Sequence, residues 1–230
     1  MKNNVTAIIL AAGAGTRMQL LKTKQTITIC GESVLLRAVR AFSQCEAISS
    51  IIVVTRADEL SFAKSELSAL PKVENIVVGG ECRQASAKIG FSYVSQECEY
   101  VAIHDAARCL VTDKIIQDVL CDAMKYGAAT ASSKVYDTVK VLNEEQNIIK
   151  TLPRDTLALM QTPQIFKTEL YKKALESINS FDGITDDNML LERIGIMPHC
   201  TDTGRYNIKI TTKEDLSYAN YILKEIGNEL

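Results

Sequence analysis

Short apolar runs alternate with amphipathic stretches along the first two thirds of the chain. The runs are apolar almost throughout, as in parallel strands covered on both faces, and predict strands at Val5–Leu10, Ser50–Thr55, Glu74–Val78 and Tyr100–His104. The stretches between and after them have helical spacing and predict helices at Ser33–Phe42, Asp58–Leu70, Arg83–Val94 and Thr112–Tyr126. This alternation predicts right-handed βαβ units, hence a Rossmann-like α/β fold with helices on both faces of a mostly parallel sheet.

The pattern changes after Ala128, where short β-like pieces are separated by turn signals. The polar stretch Asn143–Asn147 reads as the tip of a hairpin. We expect one domain, 1–230, with a β-arm at about 136–160 that has no core of its own and packs against a second subunit. The predicted strands here are Ala129–Lys134, Asp137–Leu142, Asn147–Thr151, Thr156–Met160, Met197–Thr201 and Asn207–Ile210. The predicted helices are Thr168–Ile178, Thr185–Arg193 and Lys213–Ile226.

Composition excludes several classes of protein. The 230 residues carry 26 Lys+Arg against 28 Asp+Glu, and a net charge of −2 argues against a nucleic-acid-binding protein. No apolar run reaches the ~20 residues that a membrane span needs, and the N-terminal apolar run leads directly into a glycine loop, so we expect a cytoplasmic protein without a membrane partner. The seven cysteines form no CxxC pair and there are two histidines, which favours reduced thiols over a zinc site.

The loop after the first predicted strand carries the strongest chemical signal. It reads Leu10-Ala-Ala-Gly-Ala-Gly-Thr-Arg-Met18, and its small residues let backbone N–H groups approach an anion. The third glycine of GxGxxG and the GK[ST] of a P-loop are both missing. Glycines alone would be explained by a tight turn, but Arg17 and Lys24 beyond them suit a triphosphate.

Together with further motifs, this loop resembles the sugar- and polyol-phosphate nucleotidylyltransferases. The LAAGxGxRM loop is followed by Lys24-Gln25, and the remaining motifs occur in the family's order. They are Gly79-Gly-Glu-Cys-Arg-Gln-Ala-Ser86, His104-Asp-Ala-Ala-Arg108, Asp137-Thr138, Thr162-Pro-Gln164, Thr185-Asp186 and Asn207-Ile-Lys-Ile-Thr211. Within the family, the motifs are most similar to those of the 2-C-methyl-D-erythritol 4-phosphate cytidylyltransferases, and the likeness extends over practically the whole chain.

The resemblance implies the nucleotidyltransferase fold and a reaction in which CTP and methylerythritol phosphate give a CDP-alcohol and pyrophosphate. This step belongs to non-mevalonate isoprenoid synthesis. It also implies Mg²⁺, held mainly by the phosphates of CTP, with Asp105 as the one candidate protein ligand. A phosphate monoester is already a nucleophile, so positioning and electrostatics carry the rate. The implied catalytic residues are Arg17, Lys24 and Lys209. The implied CTP-binding residues are Ala11, Ala12, Gly13, Gly15, Gly80, Glu81, Ser86 and Ala106.

The acceptor side is implied in the same way. Acceptor contacts fall to Asp105, Arg108, Thr138, Arg154 and Thr185, with Thr138 and Arg154 delivered by the arm across a homodimer. From the residues alone, Asp105 could instead pair with Arg108, and Lys209 could be a solvated lysine at the end of a strand. His104 is expected to be a packed, non-catalytic residue at the end of its strand.

Two alternatives to this function stay open. Ribitol-5-phosphate cytidylyltransferase shares the first loop, the lysine and the arm, but tends to carry HDSVR where this chain has His104-Asp-Ala-Ala-Arg108. A nucleotide-binding protein that has lost catalysis is suggested by Thr23 and Cys109, which replace prolines of the family pattern. The spacing before Asn207 is also about one residue shorter than usual.

Overall fold

The computed structural model describes residues 4–13 and 26–226. Gly15, Arg17 and Lys24 lie outside the described residues, as does Thr23, which stands where the family pattern has proline. The strands are β1 Val5–Leu10, β2 Thr28–Ile29, β3 Glu32–Ser33, β4 Ile48–Thr55, β5 Val73–Val78, β6 Tyr100–Asp105, β7 Ala128–Lys134, β8 Val139–Leu142, β9 Ile148–Leu152, β10 Ala158–Lys167 and β11 His199–Asp202. The α-helices are α1 Val34–Gln44, α2 Leu60–Glu66, α3 Arg83–Phe91, α4 Asp113–Tyr126, α5 Thr168–Glu176, α6 Asn188–Glu192 and α7 Lys213–Tyr221. Short 3₁₀ turns occupy Ala57–Glu59 and Arg154–Thr156, and a π-helical turn, Ile222–Ile226, continues α7.

Seven of the described strands form one sheet in the order β11-β7-β10-β6-β1-β4-β5. The strands β6, β1, β4 and β5 are mutually parallel, and β10 runs antiparallel to both β6 and β7. The sheet has helices on both faces, so the predicted fold class is confirmed.

The two faces of β1 show how the sequence specifies these layers. Val5, Ala7 and Ile9 point into a core that α1 and α4 cover, while Ile8 and Leu10 point into the core under α3, α5 and α6. A strand that is apolar on both faces must be buried on both, since each exposed face would leave apolar surface in water.

Local capping signals place the helices as the sequence predicts. The hydroxyl of Ser33 accepts from the Leu36 N–H at 3.0 Å and starts α1, and Thr112 does the same for Ile115 at 3.3 Å in α4. Gly127 ends α4 with φ of +84°, a left-handed conformation that favours glycine.

The arm consists of the β8–β9 hairpin and the first part of β10. Its tip closes through a hydrogen bond from Asn143 N–H to the Asn147 carbonyl, at 3.0 Å. The strand β10 is longer than predicted: Ala158–Met160 pairs with the outer end of β7, and Gln164–Lys167 lies in the main sheet between β7 and β6. The arm is therefore anchored through a strand of the core.

Several predicted elements are shorter or absent. The segment Asn207–Ile210 is not a strand; Ile210 N–H bonds to the Ala107 carbonyl at 2.8 Å and Asn207 is held by side-chain bonds. The helix predicted at Thr185–Arg193 is confined to Asn188–Glu192, and α2 and α3 end before their predicted last residues. In the described ranges, no helix is long and apolar enough to cross a membrane.

Candidate active site

The carboxyl ends of β1, β4, β5 and β6 meet at one edge of the sheet. In open α/β sheets this edge is where ligands bind, because the loops that follow the strands surround a crevice there. Backbone bonds tie these loops together: Ala11 N–H donates to the Val54 carbonyl at 2.7 Å, Ala106 to Leu10 at 3.0 Å, and Gly79 to Thr55 at 2.8 Å. The segments from 11 to 13, from 79 to 86 and from 105 to 108 are therefore neighbours.

The turn after β5 is shaped by close packing. A Cβ on Gly79 would lie 2.6 Å from the Cβ of Ala12 and 2.7 Å from the hydroxyl of Ser86, so only glycine fits. A Cβ on Gly80 would lie 2.8 Å from that of Ala85. The turn following β5 thus packs directly against the first loop.

The hydroxyl of Ser86 holds this turn together. It accepts from Gly80 N–H at 3.1 Å and donates to the Cys82 carbonyl at 3.0 Å, which uses its one proton. Gly80 and Glu81 are exposed on the outside of the turn, and Ala11 and Ala106 are buried beneath it. The exposed backbone of the turn remains open to a ligand.

A charged cluster lies beside the turn, where β6 ends. Lys209 Nζ donates to Asp105 Oδ2 at 2.6 Å, and Arg83 Nε donates to Asp105 Oδ1 at 2.9 Å. Burial opposes ionisation of Asp105, but Arg83 and Lys209 outweigh burial and hold its pKa well below its usual range. The carboxylate is therefore charged at neutral pH.

Two alternatives considered for this cluster are wrong. Arg108 does not pair with Asp105; it donates to the Asn207 carbonyl at 2.8 Å and to the Met160 carbonyl at 3.3 Å. Lys209 is not a solvated lysine at a strand end, because it lies in a loop and contacts a buried carboxylate. The sequence could not predict that Lys209 pairs with Asp105, because the two residues are 104 positions apart along the chain.

Arg83 and Asp187 belong to this cluster, and the sequence reasoning did not select them. Arg83 Nη1 donates to Asp187 Oδ2, and the Tyr171 hydroxyl donates to Asp187 Oδ1 at 2.7 Å. Both residues stand within or next to motifs that the sequence analysis singled out, Gly79–Ser86 and Thr185-Asp186. An arginine at the start of the predicted helix Arg83–Val94, inside one of these motifs, was the available signal.

The remaining acceptor residues are exposed. Thr185 donates to the sulfur of Met189 at 3.2 Å, and Thr138 lies on the surface of the arm. Arg154 Nη1 donates to the Tyr136 carbonyl at 2.8 Å, which keeps the guanidinium against its own arm. Within one chain, the described contacts of Arg154 do not reach the Asp105 cluster.

His104 is a buried residue that supports the site through hydrogen bonds. It is fully buried against Phe42, with ring centroids 4.8 Å apart, as predicted for a packed residue. The Thr162 hydroxyl accepts from Asp105 N–H at 3.0 Å and so gives its proton to His104 Nδ1, 3.1 Å away; Nε2 then donates to the Arg108 carbonyl at 3.2 Å. Burial lowers the pKa of His104 to about 3, so the ring is neutral.

This neutral histidine predicts part of the acid sensitivity of the fold. The folded-state pKa lies below the unfolded value of ~6.5, so the unfolded chain binds the proton more readily, and stability falls as pH drops from 6.5 towards 3. At pH 5 the loss is about 2 kcal/mol relative to pH 7. Urea unfolding at both pH values should show a loss smaller by about that amount in His104→Gln, whose amide does not titrate. An equal loss in both proteins would show that His104 is not buried in the neutral form.

Metal ligands are sparse in the part of the chain that the structure describes. No group of three or more His, Cys, Asp or Glu side chains is placed to hold an ion there. The seven cysteines are free thiols. At the edge described above, both oxygens of Asp105 are already paired with cations. This donor set fits an ion held mainly by a ligand's own oxygens.

Comparisons with known proteins agree on one family. A family profile described as IspD, 2-C-methyl-D-erythritol 4-phosphate cytidylyltransferase, matches residues 5–225. The curated enzyme of that name from Caldanaerobacter subterraneus subsp. tengcongensis is 42% identical over 229 residues, covering 96% of this chain and 100% of the relative. The one from Endomicrobium trichonymphae is 41% identical over 225 residues, covering 97% and 100%.

Solved structures agree with the sequence comparisons. The 4-diphosphocytidyl-2C-methyl-D-erythritol synthase of Anaerococcus prevotii has a TM-score of 0.87 at 28% identity, with 97% of each chain covered. The 2-C-methyl-D-erythritol 4-phosphate cytidylyltransferase of Francisella tularensis has a TM-score of 0.80 at 30% identity, covering 95% of this chain and 99% of the other. With its sheet order, its site motifs and relatives above 40% identity over nearly full length, the chain belongs to the 2-C-methyl-D-erythritol 4-phosphate cytidylyltransferase family of nucleotidyltransferases.

Proposed function

We propose that this enzyme joins CTP and 2-C-methyl-D-erythritol 4-phosphate to give the CDP-alcohol and pyrophosphate, in non-mevalonate isoprenoid synthesis. A phosphate oxygen of the acceptor forms a bond to the α-phosphorus of CTP. The bond from that phosphorus to the bridging oxygen of the β-phosphate breaks, and pyrophosphate leaves with the electron pair. The observation that carries the proposal is the Lys209–Asp105 pair, placed at the carboxyl edge of the sheet beside the Gly79–Ser86 turn.

The chain's own residues supply binding and charge in this reaction. The acceptor phosphate is already a nucleophile at neutral pH, so no general base is needed, and His104 is buried and neutral. Lys209, which is paired with Asp105 at this edge, stabilises negative charge on the reacting phosphates. Asp105 accepts hydrogen bonds from the acceptor's hydroxyls. Arg17 and Lys24, outside the described residues, are proposed to hold the triphosphate.

Magnesium is proposed as the divalent cation. Mg²⁺ takes few protein ligands and keeps waters or phosphate oxygens, which suits an edge offering a single carboxylate, Asp105. When bound with CTP, the ion would neutralise charge on the triphosphate and the leaving pyrophosphate. Asp105 and Lys209 would then orient the acceptor and its phosphate against the nucleotide.

The base is proposed to bind along the Gly79–Ser86 turn. Cytosine offers an N4 amine that donates and O2 and N3 atoms that accept. The exposed carbonyls of Gly80 and Glu81 can accept from the amine, and the Glu81 N–H can donate, since the Gly80 N–H is bonded to Ser86. Ser86 shapes this backbone through its two hydrogen bonds. The hydroxyl therefore acts mainly on the geometry of the turn.

This arrangement predicts a strong preference for CTP over UTP. A backbone acceptor set for the N4 amine is left unpaired when a carbonyl takes that position, so kcat/KM for UTP should be lower by on the order of 100-fold or more. The ratio is measured with both nucleotides in wild type and in Ser86→Ala, which loses the bond to Gly80 and should discriminate less. Similar kcat/KM for the two nucleotides in wild type would refute base reading by this turn.

The arm is proposed to form a homodimer. Four large apolar side chains of the arm are each about 60% exposed: Tyr136, Ile148, Ile149 and Leu159. An arm without a core of its own that exposes such side chains is normally covered by another surface. Arg154 and Thr138 lie on the same arm and have no contact with the Asp105 cluster of their own chain. Exchange of the arm would bring both residues to the partner's acceptor site, and the fork of Arg154 suits a phosphate.

Pyrophosphate release from CTP tests the proposal. The assay compares methylerythritol phosphate, ribitol 5-phosphate and no acceptor, at equal enzyme and Mg²⁺. We expect release with methylerythritol phosphate and a kcat/KM at least tenfold lower with ribitol 5-phosphate. A preference for ribitol 5-phosphate would support the related activity, and no release with any acceptor would support a nucleotide-binding protein without catalysis.

A further inference from the structure

Arg83 joins two carboxylates that come from distant parts of the chain. Its Nε donates to Asp105 Oδ1 at 2.9 Å and its Nη1 donates to Asp187 Oδ2. The Asp187 side chain is fully buried, the Asp105 side chain is 10% exposed and Arg83 is 22% exposed. None of the reaction steps above uses this guanidinium.

The far end of this bridge is fixed. Asp187 accepts from the Tyr171 hydroxyl at 2.7 Å, and its own N–H donates to Gln164 Oε1 at 3.0 Å. Burial opposes the charge on Arg83, but Asp187 and Asp105 outweigh it and hold the pKa of the guanidinium well above its usual range. Arg83 is thus a permanent positive charge in a fixed position at the start of α3.

At the other end of the bridge, Asp105 also contacts Lys209. Asp105 gives Oδ1 to Arg83 and Oδ2 to Lys209, so a buried anion has two cationic partners. Of these two partners Lys209 is the more exposed, at 38% of its side chain against 22% for Arg83. A buried carboxylate strongly resists losing its last partner, because an unpaired buried charge is costly. With Arg83 present, Asp105 stays paired when Lys209 moves away.

We propose that Arg83 is a positioning residue that leaves Lys209 free to transfer from Asp105 to the phosphates of the substrates. Arg83 touches neither substrate in this account; it acts through Asp105. The inference rests on the proposed function, since it assumes that Lys209 binds phosphate. It predicts that the loss of Arg83 traps Lys209 on Asp105.

A double-mutant cycle separates this role from simple structural support. Arg83→Gln keeps a hydrogen-bond donor but removes the charge, and Lys209→Ala removes the residue on which Arg83 is proposed to act. We expect Arg83→Gln to lower kcat/KM on the order of 30-fold when Lys209 is present and less than about 3-fold in the Lys209→Ala background. Structural damage alone would cost the same factor in both backgrounds, and that result would overturn the proposal.

For the same four proteins of the cycle, the Kd for CTP in the presence of Mg²⁺ is also measured by calorimetry, because binding does not depend on turnover. If the wild-type enzyme shows no turnover but the Kd values of the cycle show the expected coupling between Arg83 and Lys209, the proposed reaction is contradicted and the role of Arg83 is supported. Normal wild-type turnover with additive losses in both readouts would overturn the role of Arg83 alone.

Two further variants keep the test decisive. Arg83→Lys keeps the charge and should recover at least part of the activity lost in Arg83→Gln. If Arg83→Gln does not fold, the cycle is run with Arg83→Lys, and a loss of more than about threefold that is equal in both backgrounds overturns the proposal. Arg37→Gln is the matched control, since Arg37 is 21% exposed and pairs with Glu32 at 3.2 Å on α1. It should leave kcat/KM within about twofold and show no coupling to Lys209. Equal coupling for Arg37 would show that the effect is not specific to the bridge.

Discussion

Replacing Lys209 with alanine is expected to lower kcat/KM several hundredfold or more, a loss of about 3–4 kcal/mol of transition-state stabilisation. The reason is that Lys209 places a partly exposed positive charge next to Asp105, the last residue of β6. Steady-state release of pyrophosphate from CTP and methylerythritol phosphate measures the effect. The sequence motifs predict losses of similar size for Arg17→Ala and Lys24→Ala.

Lys213→Ala is the control for this prediction. Lys213 is an exposed lysine at the start of α7, four residues further along the chain, and its loss should change kcat/KM by less than about twofold. Urea unfolding of each variant separates loss of activity from loss of fold. A folded Lys209→Ala protein that keeps more than a tenth of wild-type kcat/KM would remove Lys209 from the catalytic residues.

Complementation between two inactive variants is the second large effect that we predict. Lys209→Ala damages the main domain and Arg154→Ala damages the arm, and each alone should be nearly inactive. If the arm serves the partner, a mixed dimer has one site with both defects and one intact site. Random pairing at equal amounts makes about half of the dimers mixed, so roughly a quarter of wild-type activity should return.

Exchange of subunits must be verified for this experiment, for example by mass spectrometry of differently tagged chains. Mixing two samples of the same variant is the control and should restore nothing. Verified mixed dimers without recovered activity would mean that Arg154 acts on its own chain. The Arg154 guanidinium would then have to leave the Tyr136 carbonyl.

The sequence was sufficient to predict the inner strands because they are buried on both faces. Val5–Leu10 was predicted with its observed limits, and β4 and β6 differ by one or two residues at their ends. Their apolar side chains have no polar alternation that could be confused with a surface strand. The strand β10 was predicted to stop at Met160, yet the sheet continues to Lys167.

The candidate site was predicted as a set of motifs and not as a set of contacts. Asp105 was assigned to the site because it follows a predicted strand, and parallel strands bring their carboxyl ends together where ligands bind. Its partners Arg83 and Lys209 stand 22 and 104 residues away, and no local pattern encodes such pairings. The segment around Lys209, Asn207–Ile210, was predicted to be a strand. It is fixed instead by Arg108, Ala107 and the side chain of Asn207.

Oxygen labelling of the acceptor tests the central claim most directly. Methylerythritol phosphate carrying ¹⁸O in its non-bridging phosphate oxygens is incubated with CTP, Mg²⁺ and the enzyme, and the products are examined by ³¹P NMR. Attack of the acceptor phosphate on the α-phosphorus predicts equal amounts of CDP-alcohol and pyrophosphate, isotope shifts on both phosphorus resonances of the new diphosphate, and unlabelled pyrophosphate. Label in the pyrophosphate, or an α-phosphorus resonance without an isotope shift, would contradict the proposed reaction.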